Sequence, residues 1–429
     1  MKTINVGLIG LGTVGGGVIR ILQKHHDDFV RDQDIDLNLV AVATRSPEKA
    51  ELLGVTDIFF PDVNEVINHP DVDIIIELVG GTTAARDYVF AALEAGKSVI
   101  TANKALIADC GHELMALAAS KGAEIAFEAS VGGGIPIIGP LRHTLAGNRI
   151  LSVMGIVNGT TNYMLTRMGE DMLDYDTALK EAQAKGFAEA DPTADVDGLD
   201  AAAKIAILAS IAYNTDVRFA DVPVEGIRNI SPIDLELAQE MGYSIKLLAI
   251  ANRTEGGIDI RVHPALIPLS HQLAAVKGVF NAIYVVGDFV GETMFFGEGA
   301  GSGAAASSVV GDLIEVARHM AYREQITQPV WDSEGLPIRS MDELETSYYL
   351  RLCVPDRPGV LAMTAQVFAE NGVSIYSMVQ KGTHDNSADL IYVTHKARES
   401  AIQATITGIK ETGILTGEPV LIRVEGAEG

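Results

Sequence analysis

The run richest in candidate chemistry lies between Gly186 and Lys204, where Glu189, Asp191, Asp195, Asp197 and Asp200 precede or open an alanine-rich stretch that carries a single lysine. Asp200 and Lys204 stand four apart, so a helix puts them on one face. If that face is solvated, the pair is an N-cap and a surface ion pair. The rest of the stretch, 201–213, is strongly apolar, however, and an inward-facing Asp and Lys would form a buried, functional pair. Reduction of an aldehyde needs a proton donor at the carbonyl oxygen, a role open to Lys204 with Asp200 orienting its ammonium.

A second lysine, Lys104, closes the run Ser98-Val-Ile-Thr-Ala-Asn-Lys. The spacing predicts a strand ending there, at the carboxyl edge of a parallel sheet, where ligands of open α/β sheets bind. A lysine at that edge can contact a carbonyl substrate or a nicotinamide; a surface lysine is the plainer alternative. The run Asn158-Gly-Thr160-Thr161-Asn162 precedes a helical pattern. It reads either as an ordinary threonine N-cap or as a helix N-terminus offering N–H groups to a substrate carboxylate.

Near the start, Gly10-x-Gly12-x-x-Gly15 follows an apolar run and opens a helical one, with Val18, Ile21 and Leu22 at helical spacing. This is the context that the dinucleotide fingerprint requires: glycines for a tight turn and close backbone approach, and a helix N-terminus for the pyrophosphate. Gly16 and Gly17 extend the glycine run beyond the fingerprint. The second strand ends in Thr44-Arg45-Ser46 with no acid to bind a ribose 2′-hydroxyl, and Arg45 suits a 2′-phosphate. NADP is therefore favoured, with NAD still possible and Lys49 near enough to assist.

The elements that must hold these residues are short β-rich runs at 4–10, 37–43, 72–79, 98–101 and 124–129, separated by helical stretches such as 84–95 and 111–121. That alternation predicts a doubly wound parallel sheet over 1–135. An α+β substrate and dimerisation region follows over 136–319. It has helices at 176–185, capped by Asp174 or Asp176, and from Gly198, where Ile205, Leu208 and Ala212 share a face; antiparallel strands are expected at 244–252, 258–263, 281–287 and 292–297. A helix over 304–319 is expected to return to the first domain. The irregular, proline-bearing stretch 320–346 reads as a linker, and 347–429 carries the order βαββαβ of a ferredoxin-like unit. A length of 429 residues, against about 150 per domain, agrees with three domains.

The chain carries 57 Asp+Glu against 32 Lys+Arg, a net charge of −25, which disfavours nucleic acid as a partner. Two cysteines far apart, Cys110 and Cys353, make neither a disulfide framework nor a metal motif. No apolar run approaches the ~18 residues of a membrane span and no leader pattern opens the chain, so a cytoplasmic protein is expected.

The sequence resembles monofunctional homoserine dehydrogenases that carry a C-terminal ACT domain. The likeness rests on GLGTVGGG at 10–17, TANKA at 101–105, EASVGGGIP at 128–136, NGTTNYML at 158–165, GFAEADPTADVDGLDAAAK at 186–204 and GEGAGSGAAAS at 297–307. The resemblance implies reversible NAD(P)H-dependent reduction of L-aspartate 4-semialdehyde to L-homoserine, a step of threonine, methionine and isoleucine biosynthesis. It implies Lys204 as acid/base, Lys104 as a second catalytic lysine between cofactor and substrate, and Glu189 and Asp200 on the homoserine, with Asp195 and Thr160 in the same pocket. The cofactor cleft would be lined by Gly10, Gly12, Thr13, Val14, Gly15, Gly186 and Gly301, with Arg45 on the 2′-phosphate. It further implies a monovalent cation, sodium by family habit, on main-chain carbonyls of Glu128, Val131, Gly133 and Ile135.

The Asp356-Arg-Pro-Gly359-Val360-Leu361 turn resembles ACT domains, which implies feedback inhibition by threonine, with Gly359, Val360 and Asn371 as effector contacts, in a homo-oligomer (dimer or tetramer). A dimerisation module without ligand is the alternative for this unit. Two other functions stay open on the residues alone. One is an aspartate-semialdehyde dehydrogenase-like enzyme, which needs a cysteine nucleophile and would use Cys110; the other is a non-catalytic amino-acid sensor.

Overall fold

The structure is a computed structural model and describes residues 2–322, 329–382 and 386–426. Part of the expected linker, 323–328, and parts of the expected C-terminal unit, 383–385 and 427–429, lie outside the described residues. By its internal contacts the chain divides into two compact units. The first comprises Met1–Gly159, Ala203–Val222 and Phe280–Leu336; the second comprises Thr160–Ala202, Pro223–Val279 and Pro337–Gly429.

The first unit holds a parallel sheet of β1 (Lys2–Ile9), β2 (Ile35–Ala43), β3 (Phe59–Phe60), β4 (Ile74–Glu77), β5 (Ser98–Thr101) and β6 (Ile125–Ala126), in the order β3-β2-β1-β4-β5-β6. Every residue of β4 and β5 is buried, as expected of strands covered on both faces. The order reverses beside β1, and the glycine turn leaves β1 at that switch point. Helix Thr13–Gln33 follows the turn and packs against helix Ser302–Tyr322. Val18, Ile19 and Leu22 of the one and Val309, Leu313 and Val316 of the other share a core with Val6, Leu8, Ile74 and Ile76. Gly17 explains part of the long glycine run: a Cβ there would stand 2.8 Å from both Ala306 Cβ and Ser302 O.

The same unit contains three antiparallel strands, Ile150–Ile156, Phe280–Gly287 and Gly291–Glu298. The first of these is not foreseen by the sequence pattern. The predicted strand 124–129 shrinks to Ile125–Ala126 and gives way to a 3₁₀ turn, Glu128–Ser130.

In the second unit six strands run in the order Tyr243–Thr254, Gly257–Pro268, Val420–Val424, Tyr348–Pro355, Ser387–Thr394, Ile375–Gly382. The last four, with helices Val360–Glu370 and Glu399–Glu411, form the anticipated βαββαβ element around Tyr348, Leu350, Phe368, Tyr392, Ile402 and Ile409. Its final strand lies parallel to Gly257–Pro268, pairing Arg423 with Ala265 and Val424 with Leu266. Helix Gly159–Asp171 carries most of the Asn158–Leu165 motif, and helix Tyr175–Ala184 ends just before the acidic run that begins at Gly186. Asp174 caps the latter by accepting from Thr177 N at 2.8 Å, and Gly186 follows it at φ +75°. Among the described residues no helix is long and apolar enough to cross a membrane.

Candidate functional site

The three fingerprint glycines are glycine for different reasons. Gly10 sits at φ +102°, and a Cβ on it would meet Leu78 O at 2.6 Å. One on Gly15 would meet Gly10 O at 2.1 Å, inside the turn itself. Gly12, at φ −77°, caps helix Thr13–Gln33, and no protein atom lies within 4 Å of where its Cβ would be. Neither packing nor strain asks for glycine at position 12, and the helix N-terminus there is left bare, a geometry to which a pyrophosphate can come close. Thr13 and Val14 open that helix, and Thr13 O accepts from Ser302 Oγ at 2.8 Å, next to Gly301 at φ +130°. Arg45 is exposed just past the end of β2, with no carboxylate at the strand terminus.

Lys104 is not the end of a strand. β5 stops at Thr101, and Lys104 is the first residue of helix Lys104–Lys121. Asn103 breaks the strand pattern by acting as N-cap: its Oδ1 accepts from Leu106 N at 3.2 Å while its Nδ2 donates to Gly81 O at 2.6 Å. Thr101 Oγ1 accepts from Asn103 N at 3.0 Å and donates to Glu77 Oε2 at 2.7 Å. The turn that aims Lys104 is thus hung on Glu77, wholly buried at the end of β4. Sequence reading passed over Glu77, although one acid inside 74–79 was the available signal.

Lys204 is 8 % exposed, and its Nζ donates to Val157 O at 2.6 Å, within the first unit. Asp200, also buried, lies one turn earlier on helix Leu199–Tyr213. The inward-facing alternative for this pair is therefore the observed one. Thr160, Gly186, Glu189, Asp195 and Asp200 belong to the second unit, whereas Lys204, Lys104, Arg45, Gly301 and the glycine turn belong to the first. Within the second unit Thr160 Oγ1 donates to Phe187 O at 2.6 Å, fastening the Asn158–Asn162 motif to the turn after Gly186. Glu189 exposes its carboxylate, while its main-chain oxygen accepts from Gln183 Nε2 at 3.0 Å. Asp195 is half-buried on the short helix Thr193–Val196.

Lys246 went unremarked in the sequence. Its Nζ donates to Asn162 Oδ1 at 3.1 Å and to Val276 O, and Asn162 Nδ2 donates to Gly278 O at 3.0 Å. Burial pulls the Lys246 pKa down to about 8.

The loop from Glu128 to Ile135 is built by its own hydrogen bonds. Glu128 gathers the N–H groups of Ile137, Ile138 and Gly139 at 2.6, 2.8 and 2.7 Å, and its own N–H donates to Asp312. Gly133 at φ +57° brings its backbone against Gly299, and Gly133 O accepts from Ser308 Oγ. A carbonyl has two lone pairs, so accepting one bond leaves capacity for a cation. Among the described residues no cluster of His, Cys, Asp and Glu could hold a metal ion.

In the C-terminal element Gly359, at φ +94°, caps helix Val360–Glu370, whereas Asn371 lies at its other end, donating to Val367 O at 2.9 Å. At ~1.5 Å per residue the helix holds Asn371 well away from Gly359 and Val360. Within one chain the three effector candidates do not converge.

Cys110 is buried at a kink of helix Lys104–Lys121, donates to Leu106 O, and has its thiol pushed up to about 11 by burial. Such a thiol is not a ready nucleophile, which weighs against the thioester route.

Known proteins of one family resemble this chain over almost its whole length. Residues 10–128 match the family model "Homoserine dehydrogenase, NAD binding domain", residues 136–314 match "Homoserine dehydrogenase", and residues 348–411 match "ACT domain". A homoserine dehydrogenase of Pseudomonas aeruginosa is 43 % identical over 432 residues, covering 99 % of each chain. The crystal structure of a homoserine dehydrogenase from Thiobacillus denitrificans superposes with a TM-score of 0.94 at 42 % identity, covering 99 % of both chains. A hyperthermophilic archaeal homoserine dehydrogenase in complex with NADPH matches with a TM-score of 0.62 at 29 % identity, over 74 % of this chain and 98 % of that one.

Proposed function

The chain belongs to the homoserine dehydrogenase family, and from that premise we propose that it interconverts L-aspartate 4-semialdehyde and L-homoserine with NADP(H) as the preferred cofactor. When bound, the reduced nicotinamide supplies a hydride to the aldehyde carbon. Lys204 Nζ delivers a proton to the oxygen as the carbon–oxygen double bond becomes a single bond, and it recovers a proton from solvent. Lys104 and Lys204 offset the developing alkoxide charge. Asp200 and Glu189 hold the amino group of the substrate, Asp195 and Thr160 line its pocket, and Gly186 joins the glycine turn in lining the cofactor cleft. Arg45 faces the 2′-phosphate.

The observation that carries this reading is the buried Lys204 ammonium, hydrogen-bonded to Val157 O and preceded by a buried Asp200 on the same helix.

The division of labour we assign is cofactor binding to 1–135, substrate binding and dimerisation to 136–319, connection to 320–346 and regulation to 347–429. Main-chain oxygens of Glu128, Val131, Gly133 and Ile135 would hold a monovalent cation, with sodium the first to test. The βαββαβ element suits an amino-acid effector, threonine, bound near Gly359 and Val360. A cytoplasmic homo-oligomer completes the reading.

One assay tests it: NAD(P) reduction with L-homoserine, each cofactor supplied in turn, with and without threonine and with sodium exchanged for lithium. Turnover with homoserine that falls on adding threonine is expected. Absence of turnover with either cofactor would overturn the activity, while turnover indifferent to threonine would overturn only the regulatory part.

A further inference from the structure

Arg423, on the last strand of the βαββαβ element, is 1 % exposed and forks onto two carboxylates. Its Nε and Nη2 donate to Glu399 at 2.8 and 2.5 Å, and its Nη1 and Nη2 donate to Glu225 at 2.8 and 2.7 Å. Glu399 opens helix Glu399–Glu411 of the same element, so that pair serves its own core. Glu225 belongs to a different stretch of the second unit, and its side chain is 48 % exposed. Burial does not oblige Glu225 to find a partner, yet it receives a two-point bond from a buried arginine.

Immediately beyond Glu225 the backbone clasps residues 196–198. Ile227 N donates to Val196 O at 2.8 Å, and Arg228 forks onto Asp197, Nη2 to Oδ2 at 3.1 Å and Nε to Oδ1. A Cβ on Gly226 would stand 2.3 Å from Val196 O and 2.6 Å from Asp197 Cα, and one on Gly198 would stand 2.9 Å from Val224 Cγ1. Residues 196–198 lie directly between Asp195 and Asp200. On the other side of Glu225, a cavity of about 350 Å³ lined by Asn229, Ile230, Gln403, Ile406 and Lys410 among others separates the 225–230 stretch from part of the C-terminal element. Directed bonds and close packing of Val196 and Ile227, both wholly buried, together hold residues 225–228 against 196–198.

We propose that Glu225, gripped by Arg423, is a positioning residue for Asp195 and Asp200: the C-terminal element sets the placement of the substrate carboxylates through the 225–228 clasp. This rests on the reading of 186–204 as the homoserine-binding segment. The test is steady-state kinetics of the full-length Glu225→Gln variant, in which size is kept and Arg423 retains Glu399, with Arg423→Lys as a second variant and Glu189→Gln measured in parallel.

Glu225→Gln is expected to raise KM for homoserine about fivefold to thirtyfold while KM for NADP and the melting temperature stay close to wild type. Arg423→Lys should move in the same direction, because an ammonium cannot span both carboxylates. If Glu189→Gln raises KM for homoserine and Glu225→Gln does not, the positioning role is overturned. A Glu225→Gln variant that loses stability and weakens both substrates equally overturns it too, leaving a merely structural ion pair. If neither variant moves KM for homoserine, it is the assignment of the substrate segment that falls.

Discussion

Thr101 donates its hydroxyl to Glu77 Oε2 at 2.7 Å across the paired ends of β5 and β4, and both residues are wholly buried. The other carboxylate oxygen of Glu77 accepts from Val79 N at 2.6 Å. The acid therefore closes the carboxyl edge of two strands and, through Thr101 and Asn103, fixes where Lys104 begins its helix. Replacing Glu77 by Leu leaves a buried hydroxyl and a half-buried N–H without their acceptor, at a cost of about 2–3 kcal/mol. Denaturant unfolding should show that loss, and kcat should fall with it because the Lys104 turn loosens. A variant that is destabilised but keeps wild-type kcat and KM would confine Glu77 to a structural role.

The proposed preference for NADP rests on Arg45. A charge-assisted pair with a 2′-phosphate contributes about 1.5–3 kcal/mol, so Arg45→Ala should raise KM for NADP about tenfold to a hundredfold and leave KM for NAD nearly unchanged. Parallel titrations with the two cofactors read this directly. Equal weakening of both would show that Arg45 acts on the fold of the loop and not on the phosphate.

Much of this architecture is legible from local patterns, and what escapes does so for identifiable reasons. The glycine turn, the Asp174 cap and the βαββαβ order depend on neighbours in sequence, so spacing alone reveals them. Lys104 is misread as a strand end because 98–101 is apolar and Asn103 interrupts the pattern only one residue earlier, where a cap and a loop look alike. The buried Glu77 is visible as an oddity, but its partner Thr101 is 24 residues away. Gly17 owes its identity to Ala306 and Ser302, and Glu225 owes its setting to Arg423; contacts over such separations leave no periodic trace. Helix Pro232–Glu240 was readable and passed over, since Ser231 and Asp234 form a capping box.

Lys246 makes stability depend on pH in a defined direction. Burial lowers its pKa from 10.5 to about 8 in the folded chain. Between those values the unfolded chain binds a proton that the folded chain does not, so stability from this group rises as pH increases from 8 towards 10.5 and is lost as pH falls back through that window. The full difference is about 3 kcal/mol. Comparing wild type with Lys246→Met isolates it from tyrosine ionisation: the gap in unfolding free energy between the two should shift in favour of wild type as pH goes from 8 to 10. A gap that stays constant would mean that Lys246 remains protonated in the fold throughout.

Lys204 is assigned a proton and not only a charge, and two substitutions separate these. Lys204→Met removes both and should lower kcat by about 10²–10⁴, with NADPH affinity by fluorescence titration unchanged. Lys204→Arg keeps the positive charge, but a guanidinium does not release its proton near neutral pH. If proton delivery to the aldehyde oxygen is what Lys204 contributes, the arginine variant stays nearly as slow as the methionine variant. If charge stabilisation of the alkoxide dominates, arginine restores most of the rate and the proton must come from elsewhere.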